Sequence, residues 1–91
     1  MNIRILAATM KHDESNGYLG HVRFEAEGHK QPYELTLQSD KRIDDWNYAL
    51  NFLDESGSEQ QIEAVEKALE EDDDIFDSLV DAALASLDDA K

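Results

Sequence analysis

Apolar and polar residues alternate through the first forty positions of the chain, and then the period changes. Residues 2–11 set Ile3, Ile5, Ala7 and Thr9 on one face and Leu6, Ala8 and Met10 on the other. Residues 18–27 place Tyr18, Val22, Phe24 and Ala26 opposite His21, Arg23, Glu25 and Glu27, with Leu19 an apolar exception on the polar side. Residues 33–39 alternate Tyr33, Leu35 and Leu37 against Glu34, Thr36 and Gln38. A period of two with aromatic and β-branched residues predicts strands. The intervening segments, 12–17 and 28–32, are rich in turn formers, and Asn16-Gly17 is the sharpest cue. Short loops join antiparallel neighbours, so the first half predicts a three-stranded meander.

From residue 43 the spacing is helical. Ile43, Trp46, Leu50 and Leu53 fall at i, i+3, i+7 and i+10, with Ala49 and Phe52 widening the stripe. This predicts a helix over 43–54 with Trp46 as its aromatic anchor, Ser39 or Asp40 as its cap and Gly57 near its end. A capping box starting at Ser56 or Ser58 predicts a second helix over 59–71, whose narrow apolar face is Ile62, Val65, Ala68 and Leu69. Five consecutive acids at 70–74 interrupt the pattern. Acids suit the positive start of a helix and oppose its end, which predicts a break near Asp72. A third helix follows over 74–88, with Ile75, Phe76, Leu79, Val80, Ala83, Leu84 and Leu87 as its broad stripe.

The predicted fold class is α+β: a three-stranded antiparallel β-meander followed by three α-helices packed on one face (βββααα). Neither half buries its apolar surface alone, so 1–91 reads as a single small acidic domain, with the sheet in 1–40 and the helices in 41–91.

Composition narrows the function classes. Ninety-one residues suffice for one modest core, and 41% hydrophobic residues are too many for a wholly disordered chain. With no cysteine, disulfide frameworks, thiolate metal sites and cysteine nucleophiles are excluded. No apolar run approaches the ~20 residues of a membrane span, and no leader pattern opens the chain, so a cytoplasmic, membrane-free protein is expected. The net charge is −14. Residues 1–42 hold six acids and six bases, and 43–91 hold sixteen acids against Lys67 and Lys91 alone. Such a chain repels phosphates, which argues against direct nucleic acid binding.

Candidate chemistry is sparse. His12, His21 and His29 could serve Ser15 or Ser39 as a base, yet nothing in their spacing selects such a pair, and no nucleophile-elbow or phosphate-loop motif is present. His12, Asp13 and Glu14 with His29 offer oxygen and nitrogen donors, but adjacent strand residues point opposite ways. A calcium loop starting at Asp72 fails, because its sixth position is Asp77 and its twelfth Ala83. Acid–base catalysis needs a carboxyl in an apolar cleft, and these acids lie on polar helix faces. The expectation is therefore a protein that is not an enzyme, with no cofactor, no metal and no catalytic residue.

The acidic helical face is the stronger lead. Glu59, Glu63, Glu66, Glu70, Asp77 and Asp81 are the expected partner-binding residues, because a dense negative surface speeds encounters with a basic protein. Immunity proteins, antitoxins and DNA mimics use the same physics, and the likeness is one of charge alone. The alternative is a structural or housekeeping module, homodimeric through its sheet, whose acidity only maintains solubility. In a meander strand 1 is an edge, yet Leu6, Ala8 and Met10, joined by Leu19 next door, need a cover. The C-terminal helix or a second copy would supply it, which makes these four residues the expected self-association surface; a central strand 1 would remove the need.

Overall fold

The computed structural model describes residues 2–13, 17–39, 46–54 and 57–89, the side chains of 88 and 89 excepted. Its elements in order are β1 (Ile3–Asp13), β2 (Gly17–Ala26), β3 (Tyr33–Ser39), β4 (Asn47–Phe52), α1 (Glu59–Glu71) and α2 (Asp73–Asp89). The strands form one antiparallel sheet in the order β1-β2-β3-β4. The class is α+β, as predicted, but the architecture is four strands followed by two helices, not three followed by three.

The correction falls on the segment predicted as the first helix. Residues 47–52 form a strand, and 43–45, like Asp40, lie outside the described residues. The segment carries two periods at once. Its helical spacing coexists with an alternation of Tyr48, Leu50 and Phe52, and these three pair with Leu37, Leu35 and Tyr33 on one face of β3. Without β4, the apolar face of β3 would stop at an open edge; pairing completes its hydrogen bonds and extends the core face by three large side chains. Helix formation over so short a stretch is marginal by itself, so tertiary pairing decides. The sheet consequently runs to Phe52 rather than ending near residue 40. Trp46 precedes β4 and anchors no helix; it is half-buried, with its ring 6.2 Å from that of Tyr18.

The turns follow from local chemistry. Gly17 enters β2 with φ +88° and Gly28 has φ +83°, a region that glycine enters without strain. Gly28 is the third residue of a turn closed by the His29 amide donating to the Ala26 carbonyl (3.0 Å).

α1 starts and stops, and α2 starts, where capping groups dictate. The Ser58 hydroxyl accepts the Gln61 amide at 3.3 Å, satisfying a free donor of α1. The Gln61 side chain reaches across to accept the Lys30 amide at 3.1 Å, tying α1 to the β2–β3 turn. Asp72 ends α1, donating its amide to Ala68, and its carboxylate accepts the Asp74 amide at 3.0 Å to open α2. The acidic run thus breaks the helix because one aspartate closes one end and caps the next.

α2 packs on β1 and β2, and α1 packs on β4 and α2. They share one face of the sheet and close a core of Val22, Phe24, Tyr33, Leu35, Leu37, Val65, Leu69, Leu79 and Ala83. A bulge shapes how β1 joins it. Ile5 opposes Phe24 and Ala7 opposes Arg23, so Leu6 is an extra residue. The bulge brings Ile3 and Ile5 before it onto the same face as Ala8 and Met10 after it. β1 is an edge, as read, but its two apolar faces are one face with a step in it. Neither helix is long and apolar enough to cross a membrane.

Candidate functional site

Helix periodicity places Glu59, Glu63, Glu66 and Glu70 in one stripe along α1, about a third of a turn from the buried Val65 and Leu69, and all four are exposed. Asp77 and Asp81 lie one turn apart on the exposed side of α2. The six expected partner-binding residues therefore all reach solvent, and among the described residues none of them has an ion-pair partner within 4 Å.

The sheet supplies a residue that the sequence reading had assigned to a helix. Tyr48 of β4 stacks obliquely on Phe76 of α2, with ring centres 5.4 Å apart. Burial raises its phenol pKa first, and the carboxylates of Glu70 and Glu66 raise it further. Tyr48 therefore stands beside the glutamate stripe, a half-buried aromatic ring flanked by negative charge. Carboxylates beside an aromatic ring are the groups to which lysine and arginine head groups bind in general. At the α1–α2 elbow, Glu71, Asp72, Asp73 and Asp74 rim an open hollow of about 550 Å³ floored by Ala68 and Ile75. Apolar floor and acidic rim suit the stem and head of a long basic side chain.

Two arginines and a histidine of the sheet lie against its own acids. Arg4 contacts Glu25 at 2.7 Å, and Arg23 contacts Glu34 at 3.3 Å. His21 lies 3.9 Å from the same Glu34, and its Nδ1 is 3.3 Å from the Thr36 hydroxyl. These groups occupy the sheet face away from the helices, beside a hollow of about 290 Å³ lined by Ala7, Ala8, Thr9, His21, Arg23 and Glu34. Among the described residues, the sheet face away from the helices thus carries these ion pairs, and the acids of the helices have no ion-pair partner within 4 Å.

Among the described residues, the structure keeps most of the catalytic and metal candidates apart. Ser39 is buried on the core side of β3 and His21 lies on the opposite face, so the two do not meet. Ser15 and Glu14 lie outside the described residues. His12 packs on Tyr18 (ring centres 4.5 Å apart), and His29 bonds the Tyr33 hydroxyl through Nδ1 at 2.7 Å; they sit at opposite ends of the sheet. Among the described residues no three His, Asp or Glu side chains gather to hold a metal.

The four residues expected to self-associate are separated. Met10 is buried and Ala8 is half-buried against the core, covered by α2 as the intramolecular alternative required. Leu6 and Leu19 each remain 44% exposed.

No protein-family model, curated protein or solved structure matches the chain.

Proposed function

We propose that this protein is a small non-enzymatic binding module whose acidic helical layer engages a basic protein, in the cytoplasm. One observation carries the reading: Glu59, Glu63, Glu66 and Glu70 form one exposed stripe with no ion-pair partner among the described residues, two of them acting on the Tyr48 phenol, while Arg4 and Arg23 of the sheet are matched to Glu25 and Glu34. Unpaired charge on a rigid helix repels itself in the free protein, and a basic partner relieves that repulsion on binding. The Tyr48 ring gives the surface a fixed aromatic contact that charge alone lacks.

The experiment is retention of host proteins on the immobilised chain at low and high salt, repeated with the combined Glu63→Lys, Glu66→Lys, Glu70→Lys variant. Basic proteins held at low salt, released at high salt and lost by the folded variant support the reading. Retention that ignores both salt and charge reversal removes it and leaves the acidity as a solubility device.

A further inference from the structure

We propose that β1 pairs with β1 of a second copy of this chain, antiparallel across a two-fold axis, joining two four-stranded sheets edge to edge. Four observations converge on that edge and that occupant.

First, among the described residues β1 is the long free edge. Its eleven residues extend for about 36 Å. The long axis of the molecule is 38 Å, so the edge runs nearly its whole length. The opposite edge, β4, has six residues and carries the exposed amides Asn47 and Asn51. A free edge offers a row of unpaired backbone donors and acceptors to another strand. The bulge at Leu6 kinks only one point of it. From Ala7 to His12 the strand pairs regularly with β2, which leaves a run of six residues for a second ladder.

Second, the exposed apolar side chains gather there. Ile5, Leu6 and Leu19 are the exposed large hydrophobic residues of the described chain; two belong to β1, and Leu19 faces Lys11 from β2. Edge strands that remain single are usually protected by charge along their length, and from Ile5 to Met10 this one has none; its charges are Arg4, engaged by Glu25, and Lys11 and Asp13 near its far end.

Third, the charge distribution selects a second copy over another kind of partner. Residues 1–42 have no net charge, and all of the −14 belongs to 43–91. Two identical polyanions can therefore approach through their sheets without meeting each other's full charge, whereas a basic protein is drawn to the helices. Fourth, β1 pairing with itself about a two-fold axis uses the β1 edge of each copy and leaves only the short β4 edges at the two ends of the joined sheet.

The pairing has a salt signature opposite to that of the acidic face. Because α2 lies over β1, joining the edges brings two helices bearing Asp77 and Asp81 toward each other. Added salt screens that repulsion and strengthens the dimer, while it weakens capture of a basic protein. The two readings therefore fail independently.

Sedimentation from micromolar to several hundred micromolar protein, at low and high salt, is the test. A short edge contact lies at the small end of specific interfaces, so the dimer should form in the micromolar range. The expected mass at high concentration is twice 10.3 kDa, with the population rising in salt. Leu6→Lys should weaken dimerisation about tenfold or more with the fold intact, and Leu19→Lys, one strand away, by about threefold at most. Hydrogen exchange on the unmodified chain provides the second readout: the alternate amides of 7–12 that point away from β2 gain protection with concentration and those of β4 do not. A monomer at every concentration overturns the proposal. So does a dimer that loosens in salt, one dissolved by Leu19→Lys but not by Leu6→Lys, or exchange in β1 that is indifferent to concentration.

Discussion

The thioether of Met10 occupies the space that a side chain on Gly20 would fill. The two residues oppose each other across β1 and β2, and a Cβ on Gly20 would lie 2.8 Å from Met10 Cε, 2.9 Å from its Sδ and 3.0 Å from the Thr9 carbonyl oxygen. Glycine there lets the edge strand lay a long flexible side chain flat beneath α2. Gly20→Ala should destabilise the fold by about 1–3 kcal/mol, because the Met10 tip can move but the Thr9 backbone cannot. Thermal unfolding measures it; an unchanged midpoint would mean that β1 shifts freely.

Met10→Lys places an ammonium group beneath α2 with no acceptor assigned to it, and it should unfold most of the protein. Leu6→Lys changes the exposed residue of the bulge and should leave the melting midpoint within a few degrees. Circular dichroism of the pair separates the buried and exposed sides of β1. Equal effects would contradict the bulge, since only a bulge puts Ile5 and Ala8 on one face.

Alkaline pH should loosen the core through Tyr33. Its side chain is fully buried, and burial raises the phenol pKa above its ordinary value of 10.0. Folding therefore favours the protonated form. The associated stability is complete below pH 10, where folded and unfolded chains both keep the proton. It is lost as pH rises through the higher folded pKa, because the unfolded chain ionises first. Denaturant titrations should accordingly show falling stability above about pH 10. Tyr33→Phe should flatten that fall at a cost of about 1 kcal/mol at neutral pH, from the lost bond to His29 Nδ1. An equally steep alkaline loss in the variant would assign the effect to other groups, Tyr48 first among them.

The α1 stripe should be self-repelling. Glu59 and Glu63 are four residues apart, as are Glu66 and Glu70, and like charges at that spacing cost about 0.2–0.5 kcal/mol per pair. Moderate salt should raise the melting midpoint. Glu63→Lys should stabilise the free protein by a similar few tenths of a kcal/mol, with Glu59 four residues N-terminal to the new base. A midpoint that falls in salt would show that attraction dominates.

Ser58→Ala removes the hydroxyl that accepts the Gln61 amide and should cost about 1 kcal/mol. Ser58→Asp should recover most of it. Fraying of α1 in the alanine variant would appear as faster exchange of the first-turn amides.

Much was legible in residue order because the physics there is local. Ser58 caps whatever helix follows it, Asp72 ends one helix and opens the next, and Gly28 turns because its φ is free. The alternation of Tyr33, Leu35 and Leu37 announces a strand with one buried side. The stripe of Glu59, Glu63, Glu66 and Glu70 follows from 3.6 residues per turn alone. Two features were settled only when distant segments met. Residues 47–52 satisfy a helical and a strand period together, and the free edge of β3 chose the strand, because hydrogen bonding to a neighbour and burial against it outweigh weak local preference. That choice placed Tyr48 beside Glu66 and Glu70. The bulge at Leu6 is likewise invisible in β1 by itself. Both faces of β1 are apolar in sequence, and the register against β2 under α2 decides that Met10 is sealed inside while Leu6 stays at the surface.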